Sequence, residues 1–122
     1  MIQSIYSALS GIRASILRQD VSAHNVANVS TSGFKPLRTL QTEVPGGGTA
    51  ASVDAPESGS HPAQPGGNVD SALAAELLPP SEVDLAQEMT QQILALRSLQ
   101  ANLPIIRAED EMTRDLLDAS RG

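Results

Sequence analysis

The chain of 122 residues has no cysteine and no tryptophan, and a single phenylalanine and tyrosine. Without cysteine there is no disulfide framework, no thiolate metal site and no thiol nucleophile. With so few rings, the large aromatic side chains that dominate most cores are missing, which argues against a conventional globule. Long apolar runs are lacking too. No stretch approaches the roughly 20 apolar residues of a membrane span, and the first twenty residues space their apolar positions instead of gathering them into a cleaved secretory signal. We expect no membrane span and no export by the usual cleaved signal. Histidine is confined to His24 and His61, with no third ligand at metal-binding spacing. There is no Ser-His-Asp arrangement and no phosphate-loop lysine, and Gly46-Gly47-Gly48 is not followed by a helix. Glu109-Asp110-Glu111 point in different directions on a helix and read as a solvated face. The expectation is a protein with no enzymatic activity, no cofactor and no metal. Clustered Lys/Arg stripes are absent as well, which disfavours nucleic acid as a partner.

What is present sits at the two ends. The 40% hydrophobic content is mostly Ala, Leu, Ile and Val, concentrated in residues 1–40 and 83–119. The net charge of −6 divides into +3 over residues 1–40, −5 over 41–80 and −4 over 81–122, which suits a basic N-terminal arm lying against an acidic C-terminal one. Three regions follow: an N-terminal helix and turn (1–40), a flexible middle (41–80) and a C-terminal helix (81–122).

In the first region Ile2, Ile5, Leu9, Ile12, Ile16, Gln19, Ala23 and Val26 recur at alternating spacings of three and four. That is the seam of a helix packing lengthwise on others, interrupted only by Gln19. Gly11 at mid-helix permits close helix approach at about 1 kcal/mol of propensity. Residues 25–36 end the helix: Asn28 is suited to a left-handed cap, Ser30, Thr31 and Ser32 bond their own backbone, Gly33 supplies a positive φ and Pro36 forbids continuation. The middle holds six Gly and six Pro in forty positions and reads as irregular, with at most a pairing of Arg38–Val44 with Asn68–Leu73 as short strands. Ser81 and Asp84 form a capping box, with Glu82, Asp84 and Glu88 at the positive end of the helix dipole. The helix they start carries one stripe through Leu85, Met89, Gln92, Leu96, Leu99, Leu103 and Ile106, and a second through Ile105, Ala108, Met112, Leu116 and Ala119. Pro104 between them predicts a kink rather than a break.

The fold class is therefore mainly α: two long antiparallel helices in a coiled-coil hairpin, with Ile5, Leu9, Ile12, Ile16, Leu96, Leu99, Leu103 and Ile106 as the helix seam. They are joined by an irregular Gly/Pro-rich middle with at most a small β element. Such a hairpin needs oligomerisation, with copies of itself or with partners, to finish its core.

Two segments bear on family. SALSGIRASILRQDVSAHNVANVSTSGFKP (residues 7–36) resembles the N-terminal signature of bacterial flagellar basal-body rod and hook proteins, a run ending in N-x-A-N-x-x-T-x-G-F-K. SEVDLAQEMTQQILALRSLQANLPIIRAEDEMTRDLL (residues 81–117) resembles that family's C-terminal signature, though Leu99 stands where the family has an aromatic. The matched positions are Asn25, Asn28, Thr31, Gly33, Phe34 and Lys35 in the first signature. In the second they are Val83, Asp84, Glu88, Met89, Arg97, Gln100, Ala101, Asn102, Asp110, Glu111 and Met112. The short middle is similar to that of a proximal-rod member. The resemblance implies a structural subunit of the flagellar rod, assembling by coiled-coil packing into a helical tube that transmits torque. It implies other rod and hook-basal-body subunits and the flagellar export apparatus as partners, and a location in the basal body, crossing the periplasm. The alternative is an accessory helical module that binds the rod or export apparatus without joining the axial structure. On the first reading Asn25, Asn28, Gly33 and Phe34 mainly contact neighbouring subunits, with Phe34 as the apolar anchor.

Overall fold

The computed structural model describes residues 2–56 and 79–121, with only the backbone of Ile2. Four elements follow in order: α1 (Ile2–Ala27), β1 (Arg38–Glu43), β2 (Thr49–Asp54) and α2 (Leu85–Ala119). The two helices form a hairpin and the two strands a small antiparallel sheet.

The helices run antiparallel in constant register. Ser4 lies opposite Glu109, Gly11 opposite Asn102, Ser15 opposite Ser98 and Asn25 opposite Glu88. On α1 the meeting line is Ser4, Ala8, Gly11, Ser15, Ser22 and Asn25, a run at heptad spacing made of small and polar residues. On α2 it is Glu88, Ala95, Ser98, Asn102 and Glu109. Ala8, Ser15, Ser22, Asn25, Glu88, Ala95 and Glu109 are all buried on it.

This corrects the expected seam. Ile5, Ile16, Leu96 and Leu103 are exposed, Leu96 by 55%, while Leu9, Ile12, Leu99 and Ile106 are half-buried. The reason is steric. A Cβ placed on Gly11 would stand 2.8 Å from Asn102 Nδ2, so the Asn102 side chain already fills the space between the helices at that level and leaves no room for a leucine.

On each helix the stripe that makes up the expected seam lies one residue C-terminal to the true contact line, a turn of about 100° around its helix. Because the helices are antiparallel, the two displacements swing to the same side of the hairpin.

The opposite flank of α1 is covered by the strands. Arg38 pairs with Asp54 and Glu43 with Thr49, so β1 pairs with the next segment; Asn68–Leu73 lies outside the described residues. The middle is thus ordered as a hairpin over residues 38–54. Gly46, Gly47 and Gly48, with φ of 97°, 96° and 103°, make the reversal that Val44 N–H to Gly48 O (3.1 Å) closes.

The strands fold back along α1. Asn25 is bonded to Leu37 at one end, and Gln3 Nε2 donates to Gly46 O (2.5 Å) at the other. The lengths agree: α1 covers roughly 33 Å from Asn25 back to Gln3 at ~1.5 Å per residue. Extended chain from Leu37 to Gly46 covers roughly 30 Å at ~3.3 Å per residue. Midway, Thr49 N–H donates to Ser10 Oγ (3.0 Å). Ala14 and Val21 are buried on this flank, lining hollows shared with Thr49 and with Leu37.

Helix ends differ from expectation in detail. Among the described residues no non-glycine has positive φ, so Asn28 is not a left-handed cap; its Nδ2 instead donates to His24 O (2.8 Å), holding a carbonyl of the last turn. Gly33 does take a positive φ, 72°. The N-cap of α2 is Asp84, not Ser81: the carboxylate accepts from Ala86 N (2.9 Å) and Gln87 N (3.2 Å), and Ser81 Oγ only accepts from Val83 N (3.3 Å). A carboxylate at the N-cap accepts charge-assisted bonds and faces the positive end of the dipole, so it outcompetes the hydroxyl three residues earlier. The helix continues unbroken through Pro104.

Candidate functional site

Two features stand out: a polar lock that fixes the shape of the subunit, and an apolar groove beside the helix seam. The lock begins with Asn25, fully buried in the last turn of α1. Its Oδ1 accepts from Leu37 N (2.8 Å) and its Nδ2 donates to Leu37 O (2.9 Å), closing a two-bond ring on the backbone of one residue. Nδ2 also donates to Glu88 Oε1 (2.9 Å). The same oxygen accepts from Arg38 NH1 (3.0 Å), while Arg38 NH2 reaches Gln87 Oε1 (3.4 Å) and Ser22 Oγ donates to Glu88 O (3.0 Å). Glu88, 2% exposed, is thus a buried carboxylate with charged and neutral donors, the condition under which burial is tolerated. Three chain segments converge on it.

Beside the lock the two family-like segments are joined through their backbones. Gly33 N–H donates to Pro79 O (2.6 Å) and Glu82 N–H to Phe34 O (3.1 Å). Thr31 N–H to Asn28 O and Phe34 N–H to Thr31 O tighten the turn between them. Phe34 is half-buried, its ring 5.6 Å from that of His24 at 58°.

Of the residues singled out in the sequence, the structure therefore brings together Asn25 and Glu88 directly. It joins Asn28 to Thr31, and Gly33 and Phe34 to the chain just before α2. Asn25 makes its bonds inside the subunit, which corrects the expectation that it mainly serves contacts between subunits. Val83 and Asn102 are half-buried, the latter on the helix seam donating to Ser98 O (2.9 Å). Lys35, Met89, Arg97, Gln100, Ala101, Asp110, Glu111 and Met112 are exposed, with Asp110 paired to Arg114 at 2.8 Å.

Glu109 is also corrected. It is buried, not solvated: Ser4 Oγ donates to its Oε1, and its Oε2 has no donor among the described residues. Sequence reasoning missed Ser22 and Arg38 altogether. The signal for Ser22 was present as the heptad run of Ser, Ala and Gly one position before the apolar stripe; for Arg38 there was none.

The groove lies on the open side of the hairpin. Ile16 from α1 and Met89, Ile93, Leu96 and Leu99 from α2 supply its apolar walls around about 490 Å³. Its polar lining is Ser15, Gln19, Asp20 and Gln92. Among the described residues no cluster of three or more His, Asp or Glu side chains converges on a metal-sized point, and no helix is long and apolar enough to cross a membrane. An apolar groove between two helices, next to a buried polar lock, is suited to packing against another apolar surface.

A chain with a buried polar lock and an open apolar groove is the kind of protein that builds assemblies, and comparison with known families agrees. Residues 5–35 match the family described as flagella basal body rod protein, and residues 80–119 match the flagellar basal body rod FlgEFG protein C-terminal family. At both of its ends the chain is thus similar to flagellar basal-body rod proteins. It is similar to the flagellar basal-body rod protein FlgG of Bacillus subtilis (strain 168), 40% identical over 58 residues. That match covers 48% of this chain and 22% of the relative's length.

Proposed function

We propose that this chain is an axial subunit of the flagellar rod. Its helical hairpin packs side by side with those of neighbouring rod and hook-basal-body subunits into a helical tube that carries torque across the periplasm. It reaches that place through the flagellar export apparatus.

The observation that carries the reading is the displacement of both apolar stripes to one open side of the hairpin. A subunit meant to stand alone buries its leucines between its own helices. Here the intrasubunit seam is small and polar, and Ile16, Met89, Ile93 and Leu96 stay exposed. Burying each such side chain contributes on the order of 1.5–3 kcal/mol, so filling the groove supplies a driving force for association that folding has left unused. The polar lock complements this by holding the turn and strands in one geometry, as a part that bears load requires.

The test is a variant carrying Ile16→Asp and Leu96→Asp. Both side chains are exposed, so the isolated chain keeps its helix content by circular dichroism, while cells making only this variant lose the rod and become non-motile. Intact rods and normal swimming in those cells overturn the reading. Deletion of the gene separates the subunit from an accessory factor, because a missing axial subunit abolishes rod and hook entirely.

A further inference from the structure

The chain has no cysteine, so its oxidisable sulfur is methionine alone, at Met1, Met89 and Met112. A thioether open to water reacts with two-electron oxidants, and the sulfoxide that forms is polar where the thioether was apolar. Met89 is 59% exposed and belongs to the groove's apolar wall, with Ile16, Ile93, Leu96 and Leu99. Of the methionines with described side chains, Met89 alone lines that space. Met112 is exposed too, by 45%, but lies roughly 20 Å further along α2 than Leu99. One oxidisable atom therefore stands, uncovered, in the surface that association has to bury.

We propose that Met89 is an oxidation site, through which a peroxide makes the groove unfit for association. The inference rests on the rod-subunit reading and adds to it a regulation of the same surface. The sulfur lone pair attacks one peroxide oxygen, the O–O bond breaks and an S–O bond forms. Two electrons leave the sulfur and reduce the peroxide. The hydroxyl delivered to sulfur gives its proton to the departing hydroxide, which leaves as water. No side chain has to assist; access is all the step requires, and the open groove supplies it. The product is a strong hydrogen-bond acceptor set among Ile16, Ile93 and Leu96. Covering the groove then strips water from that acceptor, and a buried polar group without a partner opposes association. The unassembled chain is the reactive form, because filling the groove covers Met89 as well. Reduction of the sulfoxide by methionine sulfoxide reductases makes the block reversible.

Two measurements test this. The purified full-length chain is treated with hydrogen peroxide and its peptides are weighed by mass spectrometry. Conversion of Met89 to the sulfoxide is expected, with helix content by circular dichroism unchanged. Persistence of the thioether at Met89 while Met112 is converted overturns the inference. In cells, hydrogen peroxide is given while rods are being built, and incorporation of each chain into basal bodies is compared with its own level without peroxide. The parent chain and Met112→Leu are expected to fall several-fold, and Met89→Leu to hold its level. No fall in the parent, or an equal fall in Met89→Leu, overturns the inference and leaves the rod reading standing. Failure of the parent chain to enter basal bodies without peroxide overturns the rod reading, and the inference with it.

Discussion

Asn25 and Glu88 stand 63 residues apart in the chain and share a buried hydrogen bond of 2.9 Å, each residue drawn from a different one of the two family-matching segments. Asn25 spends both ends of its amide on the Leu37 backbone and still supplies Glu88. Asparagine alone has this length together with a donor and an acceptor. Asn25→Ala leaves the Leu37 N–H and C=O and one carboxylate contact without partners. At roughly 1–3 kcal/mol for each buried group so abandoned, the isolated chain is expected to lose most of its cooperative stability. Asn25→Asp is expected to do no better, because it removes the donor and sets a second carboxylate against Glu88. Thermal melts followed by circular dichroism check both, and a melting temperature within error of the parent for either variant contradicts the role given to Asn25.

Arg38 and Glu88 are paired at 3.0 Å, with the arginine side chain 44% exposed and the carboxylate 2%. The asymmetry decides the expected energetics. Solvent screening on the arginine side limits the pair itself to about 1 kcal/mol or less. Removing Arg38 leaves Glu88 buried with Asn25 as its named donor, whereas Glu88→Gln keeps an acceptor for Asn25 and removes the charge. The cycle of Arg38→Ala, Glu88→Gln and the double variant is therefore expected to show Arg38→Ala as more harmful in the presence of Glu88 than of Gln. Equal cost in both backgrounds means that the ion pair does not couple β1 to α2.

The helix pair is legible in the sequence to within a few residues at its outer ends; its contact line is not. Ile, Leu and Met at three-four spacing mark a face that something buries, and hydropathy carries no information on whether the burying surface lies in the same chain. The small-residue line of Ser4, Ala8, Gly11, Ser15, Ser22 and Asn25 has the same period, and only Gly11 hints that a neighbour comes close there. The strand pairing is half legible. Arg38–Val44 reads as a strand, but Thr49–Asp54 does not read as a partner for it, because three consecutive glycines read as loosening when here their positive φ values make the reversal. Of the lock, Asn25 and Glu88 stand out as positions matching family motifs. That they meet each other cannot be read without the register of the two helices, and Arg38 enters only because β1 starts where Asn25 holds Leu37.

Gly48 ties that reversal to α1. Its φ is 103°, and a Cβ added there would stand 2.6 Å from Ser10 Oγ, so any substitution is strained in backbone and in space. Gly48→Ala is expected to detach the strands from α1 near Ser10 without unfolding the helix pair, whose seam is elsewhere. Hydrogen exchange resolves this: the Thr49 N–H, bonded to Ser10 Oγ in the parent, loses protection while amides in α1 and α2 keep theirs. Uniform loss of protection across the helices shows that the strands are integral to the hairpin's stability.

The tight approach of the two helices at Gly11 and Asn102 gives a prediction whose sign is set by a competition. Replacing glycine by alanine inside a helix favours folding by about 1 kcal/mol on propensity alone. The added carbon, however, meets Asn102 Nδ2 at 2.8 Å, and that amide is engaged with Ser98 O. Moving it forfeits a half-buried hydrogen bond and separates a seam that is held together by small residues. Overpacking of this kind costs about 1–3 kcal/mol, so Gly11→Ala is expected to be neutral to destabilising despite its propensity gain. Asn102→Ala removes the obstacle, and in that background Gly11→Ala is expected to stabilise the chain. Paired denaturant melts of the four proteins measure the reversal directly. If Gly11→Ala stabilises equally with Asn102 present, the helices are not in contact at that level, and the constant register from Ser4 to Asn25 is broken at its centre.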